Sequence, residues 1–267
     1  MALITLTTDF GLKDGNVGAM KGVILKIAPQ TQIVDISHLI ASQAISEAAL
    51  VLSRAARFFP AGAIHVAVVD PGVGTDRRPI AGLLGNQYVV GPDNGVFTRM
   101  IENCEKQGQV VRFVHLNQRE YWLPQISYVF HGRDLFAPVA AHLASGVILN
   151  DLGAPIGDVV RLNLPKPAST PDGLQGEVIH IDHFGNISTC IMRDDIGDKV
   201  IQQVIVKGGV IQDFVNTFGE KPPGSLVSLY GSSDNLLICE VNGNAAQKLG
   251  INIGDIVKVT LKDRAPA

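Results

Sequence analysis

The chain has 267 residues, of which 46% are hydrophobic and 18% charged, with a formal net charge of −3. This is the composition of a folded globular chain with one large or two modest domains, and it excludes intrinsic disorder. The mild negative charge, with no Lys/Arg-rich run, excludes a nucleic-acid or anionic-membrane binder and leaves small molecules as the expected partners.

Ala2 to Thr8 reads as a strand, and Val17, Met20, Val23, Ile24 and Ile27 then recur at helical spacing until Pro29 ends the run. Ile33 to Ile36 is a second strand, and Ile45 to Phe59 an amphipathic helix closed by Pro60 and Gly62. The apolar, β-branched run from Ala63 to Val69 predicts a strand buried on both faces. Ile80 to Leu84, Tyr88 to Val90 and Val110 to Leu116 read as further strands, Asp93 as the cap of a helix running to Ile101, and Leu135 to Leu143 as a helix. This alternation predicts a layered α/β N-terminal domain over 1–164. Residues 165–173, within a stretch carrying Pro165, Pro167 and Pro171, read as a linker. Strand signals dominate 174–267, with a short helix near Ala245 to Leu249, which predicts a smaller C-terminal β-barrel domain.

Cys104, Cys190 and Cys239 are scattered, odd in number and without metal-ligand spacing, so they read as reduced packing residues. No apolar run approaches a membrane span, and the first residues lack a basic segment followed by an apolar one. A cytoplasmic protein is expected.

Three polar residues stand where an apolar segment ends. Asp9 follows the first strand, Asp70 follows Val69 in VVDPGVGTDRR, and His131 follows Val129 and Phe130. Open α/β sheets bind ligands outside the carboxyl ends of their strands, so all three are site candidates. Pro71, Gly72 and Gly74 make a turn that returns Arg77 or Arg78 to the same edge; the plain alternative is a turn with a solvated ion pair. Asp9 and Asp14 suit a ligand with a positive centre or a ribose diol, although Asp14 also fits simple helix capping. Arg133 and Asp134 fit an ion pair or a cap on the following helix. In the second half, Asp182 and Asn186 surround a Phe-Gly turn that a plain hairpin would also use, and Ser232 lies in a similar loop.

In order and spacing, TTDFGLKDGNVGAMKG, VVDPGVGTDRR, GPDNG, FHGRDLFAP, IDHFGNIST and GNAAQKLGI resemble the S-adenosyl-L-methionine (SAM) hydrolase, or SAM hydroxide adenosyltransferase, family, which is related to fluorinase and chlorinase. The resemblance covers nearly the whole chain. It implies hydrolysis of SAM to adenosine and L-methionine by water or hydroxide attack on ribose C5′, with no cofactor and no metal. It also implies a homotrimer, with each active site between the N-terminal domain of one subunit and the C-terminal domain of its neighbour. By this resemblance Asp70, Arg77 and His131 are catalytic, and Asp9 holds the ribose. Asp14, Asp182 and Asn186 contact the sugar and amino-acid portions, with Gly132 also in the substrate site. Ser232 meets the methionine end and Glu240 the adenine edge. The Asp182–Asn186 spacing is one residue shorter than in fluorinase, and Glu240 to Asn244 replaces an arginine-rich loop there. A SAM-dependent halogenase, a non-catalytic SAM or adenosine-binding module and a metal-dependent phosphohydrolase are the alternative readings.

Overall fold

The computed structural model describes residues 2–263. The chain divides into two compact units, Met1–Asn163 and Leu164–Ala267.

The first unit contains β1 (Leu3–Thr8), α1 (Asn16–Ile27), β2 (Gln32–Ser37), α2 (Ile45–Ala56), β3 (Ile64–Val68), β4 (Pro79–Leu84), β5 (Gln87–Pro92), α3 (Thr98–Lys106), β6 (Val111–Leu116), α4 (Ala137–Ala144) and β7 (Gly153–Ile156). Its seven strands run in the order β2-β1-β3-β5-β4-β6-β7. The pairs β1–β2, β1–β3 and β3–β5 are parallel, and the rest are antiparallel. The period of two along β3 explains its uniformly apolar sequence. Val66 and Val68 pack in one core with Val17, Met20 and Ile24 of α1 and with α4, whereas Ala67 and Val69 pack in the other with Ala48 and Leu52 of α2 and with α3. The chain leaves β1 through α1 toward β2, then crosses back through α2 to β3 on the other side. A topological switch point therefore lies between the carboxyl ends of β1 and β3.

Helix α3 begins at Thr98, and Asp93 does not cap it. Asp93 is buried and bound instead by the Arg78 guanidinium, with Nε donating to Oδ2 at 2.9 Å, and by the Val160 N–H at 2.7 Å. Helical backbone ahead of α4 starts earlier than the periodicity predicts, as a π-helical turn over Gly132–Phe136.

The second unit contains β8 (Ala168–Thr170), β9 (Gly173–Ile181), β10 (Ile187–Met192), the short α5 (Arg193–Ile196), β11 (Val200–Val206), β12 (Gly209–Ile211), β13 (Leu226–Tyr230), β14 (Asn235–Glu240), α6 (Ala245–Leu249) and β15 (Ile256–Lys262). The order is β12-β11-β15-β9-β10-β14-β13, with β8 paired to β9 and every pairing antiparallel. Register shifts in β10 and β11 bend the sheet, and a bridge from Phe214 to Ser228 links the exit of β12 to β13. The result is the expected barrel-like fold, nearly closed around a core of Val178, Ile187, Val204, Ile238 and Val257. All three cysteines are free and buried, and burial pushes the Cys239 thiol up to about 12. Among the described residues no helix is long and apolar enough to cross a membrane.

His65, fully buried at the centre of the first sheet, has its Nδ1 2.7 Å from Thr5 Oγ1 and its ring edge-on to Phe59. Burial disfavours the imidazolium and lowers its pKa from 6.5 to about 4. The unfolded chain therefore binds a proton before the folded one does, and stability falls as the pH drops from 6.5 toward 4. The loss attributable to this group is on the order of 3 kcal/mol. Chemical denaturation across that range should show a shallower decline in His65→Asn, which lacks the titrating ring, than in the unmodified chain.

Candidate active site

Asp70 follows β3, and the turn after it returns the Arg77 side chain to the carboxylate. Arg77 Nε donates to Oδ1 and Oδ2 at 2.9 and 3.0 Å, and Nη2 also contacts Oδ2. The two side chains are only 5% and 10% exposed, so each charge depends on the other for compensation. The guanidinium lies over the Phe136 ring, 5.3 Å from its centroid.

The same Nη2 is 2.8 Å from His131 Nδ1. Because a guanidinium only donates, Nδ1 must accept, and the imidazole proton resides on Nε2. Burial and the neighbouring Arg77 charge hold the His131 pKa below its ordinary value, which favours this neutral ring. Arg78 is engaged elsewhere, by Asp93 and Asp158, so the two adjacent arginines have separate tasks.

Asp9 follows β1. Its Oδ2 accepts the Gln43 backbone N–H at 2.8 Å, and Oδ1 remains as an acceptor. Asp9, Asp70, His131 and Gly132 line one cleft of about 260 Å³, together with Phe10, Gln43, Val129 and Phe130. Gly132 leaves room for its neighbours, since a Cβ there would lie 3.3 Å from both Met20 Sδ and the Phe10 ring. Arg133 pairs with the fully buried Asp134, whose Oδ2 also accepts the Ser127 N–H at 2.8 Å and so tethers the loop leading to His131. Asp14 is exposed, lies outside this cleft and does not cap α1.

In the second unit, Asn186 and Glu240 line a separate cleft of about 540 Å³ with Phe184, Phe218, Asn242, Gly243 and Asn244. Asp182 organises the hairpin beside it: Oδ1 accepts the N–H groups of Phe184 and Asn186, and Oδ2 accepts Asn186 Nδ2 at 2.8 Å. Gly185 has φ 84°, and a Cβ there would lie 2.1 Å from the Asn244 side chain, so glycine is required for the hairpin to seat on that residue. Glu240 is paired with Lys248 at 2.6 Å. Ser232 is exposed and outside this cleft.

The family model for the SAM hydroxide adenosyltransferase N-terminal domain matches residues 4–153, and that for its C-terminal domain matches residues 176–258. The chain belongs to the SAM hydroxide adenosyltransferase family. A relative from Salinispora tropica, named (R)-S-adenosyl-L-methionine hydrolase, is 38% identical over 96% of this chain and 97% of its own length. A fluorinase from an Actinoplanes species is 30% identical over 73% of each chain. A crystal structure of an uncharacterized conserved protein from Thermotoga maritima superposes with a TM-score of 0.89, at 35% identity, covering 96% of this chain and 99% of that one.

This member of the SAM hydroxide adenosyltransferase family also uses residues that the sequence does not single out. Gln43 contributes a backbone N–H from a left-handed conformation, φ 65°, marked only by a short polar loop ahead of α2. Phe184 and Phe218 are exposed aromatic walls with no motif of their own beyond the turns that carry them.

The loop carrying Arg77 is fitted to the loop carrying His131 through Gly74, where φ is 76° and a Cβ would lie 2.4 Å from the Tyr128 carbonyl oxygen. Gly74→Ala is therefore expected to destabilise the fold by on the order of 2 kcal/mol, through left-handed backbone strain added to that clash. A lowered calorimetric melting temperature checks this, and an unchanged one would show that the two loops separate freely.

Proposed function

We propose that the chain hydrolyses S-adenosyl-L-methionine to adenosine and L-methionine. The observation that carries this reading is that Asp70 and His131, bridged by Arg77, line one cleft with Asp9. Full-length relatives named (R)-S-adenosyl-L-methionine hydrolase support it.

In the reaction, a water oxygen bonds to ribose C5′ while the C5′–sulfur bond breaks and its electron pair stays on sulfur. The sulfonium departs as a neutral thioether, so the leaving group needs neither a general acid nor a Lewis acid. What must be supplied is an aligned and activated nucleophile. Fixing water in line with the breaking bond removes a large part of the entropic barrier, an effect worth up to about 7–11 kcal/mol at near-ideal geometry. Asp9 Oδ1 holds the ribose hydroxyls. His131 Nε2–H donates to the nucleophilic oxygen, Asp70 accepts its proton, and Arg77 favours the developing hydroxide while holding the other two in register. Such proton-transfer assistance contributes typically about 10²–10⁴-fold.

The first cleft, at about 260 Å³, is below the roughly 300–1,000 Å³ usual for a small-molecule pocket. Val129, which lines it, is exposed, as are Leu12 and Tyr128 in the loops that carry Asp9 and His131. Both features support a trimer in which the cleft of one copy is completed by the Asn186 and Glu240 cleft of another. In that assembly Asp14, Asp182, Asn186 and Ser232 meet the sugar and amino-acid portions of SAM, and Glu240 the adenine edge. A cytoplasmic location follows from the substrate.

Incubation with SAM should yield adenosine and methionine by chromatography, with turnover unaffected by chelators; intact SAM recovered from a tight complex would mark a binding module instead. Arg77→Lys cannot bridge Asp70 and His131 in a planar fork, and its kcat is expected to fall about 100-fold or more. A neutral His131 is required, and its lowered pKa extends the neutral form below the ordinary imidazole range. The acid limb of kcat/KM should therefore be centred below 6.5, whereas a limb centred at or above 6.5 would contradict the assignment.

A further inference from the structure

The connection between β2 and α2 grips the Asp9 turn from both sides. At one end is His38, only 4% exposed, whose Nδ1 lies 2.8 Å from the buried Thr8 Oγ1. The His38 carbonyl accepts the Gly11 N–H at 2.8 Å, and Thr8 Oγ1 accepts the Phe10 N–H at 3.2 Å. On the far side of the ring, Nε2 lies 3.1 Å from Asp35 Oδ1, and Asp35 is bound by Lys21 at 2.6 Å. At the other end of the connection, the Gln43 N–H meets the Asp9 carboxylate at 2.8 Å. Residues 8 and 10 are thus tied, directly or through Thr8, to one buried imidazole, and Gly11 to the main chain of the same residue, with Asp9 between them. The hydrolytic chemistry of the Asp70 cleft makes no use of this ring.

A carboxylate that holds a diol must keep both its position and the direction of its free oxygen, and Asp9 has only one oxygen fixed by the Gln43 N–H. The position of the Asp9 backbone is what His38 supplies. A buried polar ring hydrogen-bonded through Nδ1 to a strand end, with Nε2 3.1 Å from a carboxylate, is costly to place unless those contacts are kept, so the arrangement holds one geometry. We propose that the His38 side chain is a positioning group for Asp9, acting through Thr8 and the Phe10 N–H to aim the ribose-holding carboxylate. This rests on the proposed function, since it assigns His38 to the ribose end of the same site.

Because Asp9 acts on the ribose rather than at the reacting carbon, loss of His38 affects binding equally in the ground and transition states, raising KM and sparing kcat. His38→Asn is expected to raise the KM for SAM about tenfold with kcat within about threefold. Thr8→Val, close in shape and without the hydroxyl, should shift KM in the same direction. The decisive measurement is the double variant His38→Asn with Asp9→Asn: if His38 works through Asp9, adding the His38 change to Asp9→Asn alters KM by less than about twofold. A KM unchanged in both single variants overturns the inference, as does an undiminished His38 effect in the Asp9→Asn background. Should His38→Asn fail to fold, Thr8→Val alone and in the Asp9→Asn background gives the same decision. Absence of adenosine production by the unmodified chain removes the proposed function, and this inference with it, whereas turnover with an unchanged KM removes the inference alone.

Discussion

A guanidinium has hydrogens to give and no lone pair to receive with, and this property of Arg77 orders the centre of the first unit. Its fork closes on Asp70, which keeps both buried charges compensated, and its remaining reach ends on His131 Nδ1. The second contact fixes the histidine tautomer without any further residue. Three side chains from two loops thereby become one unit, with a single anion, a single cation and a neutral ring whose Nε2–H is its only donor. Replacing any member would alter the charge or the hydrogen-bonding direction of the other two.

Sheet topology brings these loops together. Strands β1 and β3 are parallel neighbours, and the helices that follow β1 and β2 pack on opposite faces. With β1 and β3 adjacent, Asp9 and Asp70 line one cleft on a scaffold packed on both faces. The π-helical turn at Gly132 brings in His131 just before α4. Rigidity comes from Val66, Ala67, Val68 and Val69, which alternate between two cores, and the proposed chemistry falls to Asp70 and the turn beyond these four residues.

Asp9 and Asp70 are legible because each follows a strand that its sequence marks, whereas His131 follows an exposed turn and no strand, so Val129 and Phe130 give a false strand signal beside a correct site residue. The choice between Arg77 and Arg78 was not a matter of composition, since the two are adjacent. It depends on which side of the strand each side chain takes, and Asp93 and Asp158 draw Arg78 away. That partnership is also why Asp93 does not cap a helix, because its carboxylate is occupied across 15 residues of chain. Strands β7, β8 and β12 have only three or four residues and no periodicity, so their pairing is decided by longer neighbours. Gln43 contributes a backbone N–H and His38 a contact 30 residues away, and neither leaves a local pattern. Asp14 and Ser232, exposed and outside the two clefts, are assigned by resemblance rather than by the geometry of one chain.

The sign of the charge at Asp70 bears on which nucleophile the site admits. A halide must arrive as an anion, shed its hydration and settle beside a carboxylate, where like charges at short range are unfavourable in a poorly solvated cleft. Arg77 offsets this only in part, because its Nε and Nη2 donors are directed at Asp70 and His131. In the proposed mechanism water enters neutral, accepts from the His131 Nε2–H and donates toward the carboxylate. It gains anionic character only as its proton leaves, so the same carboxylate that opposes a halide assists water. The fluorinase relatives show that this lineage also includes proteins named for halide chemistry. On the proposed function the nucleophile is thus decided by whether the group next to the attacking atom accepts a proton, the role proposed for Asp70.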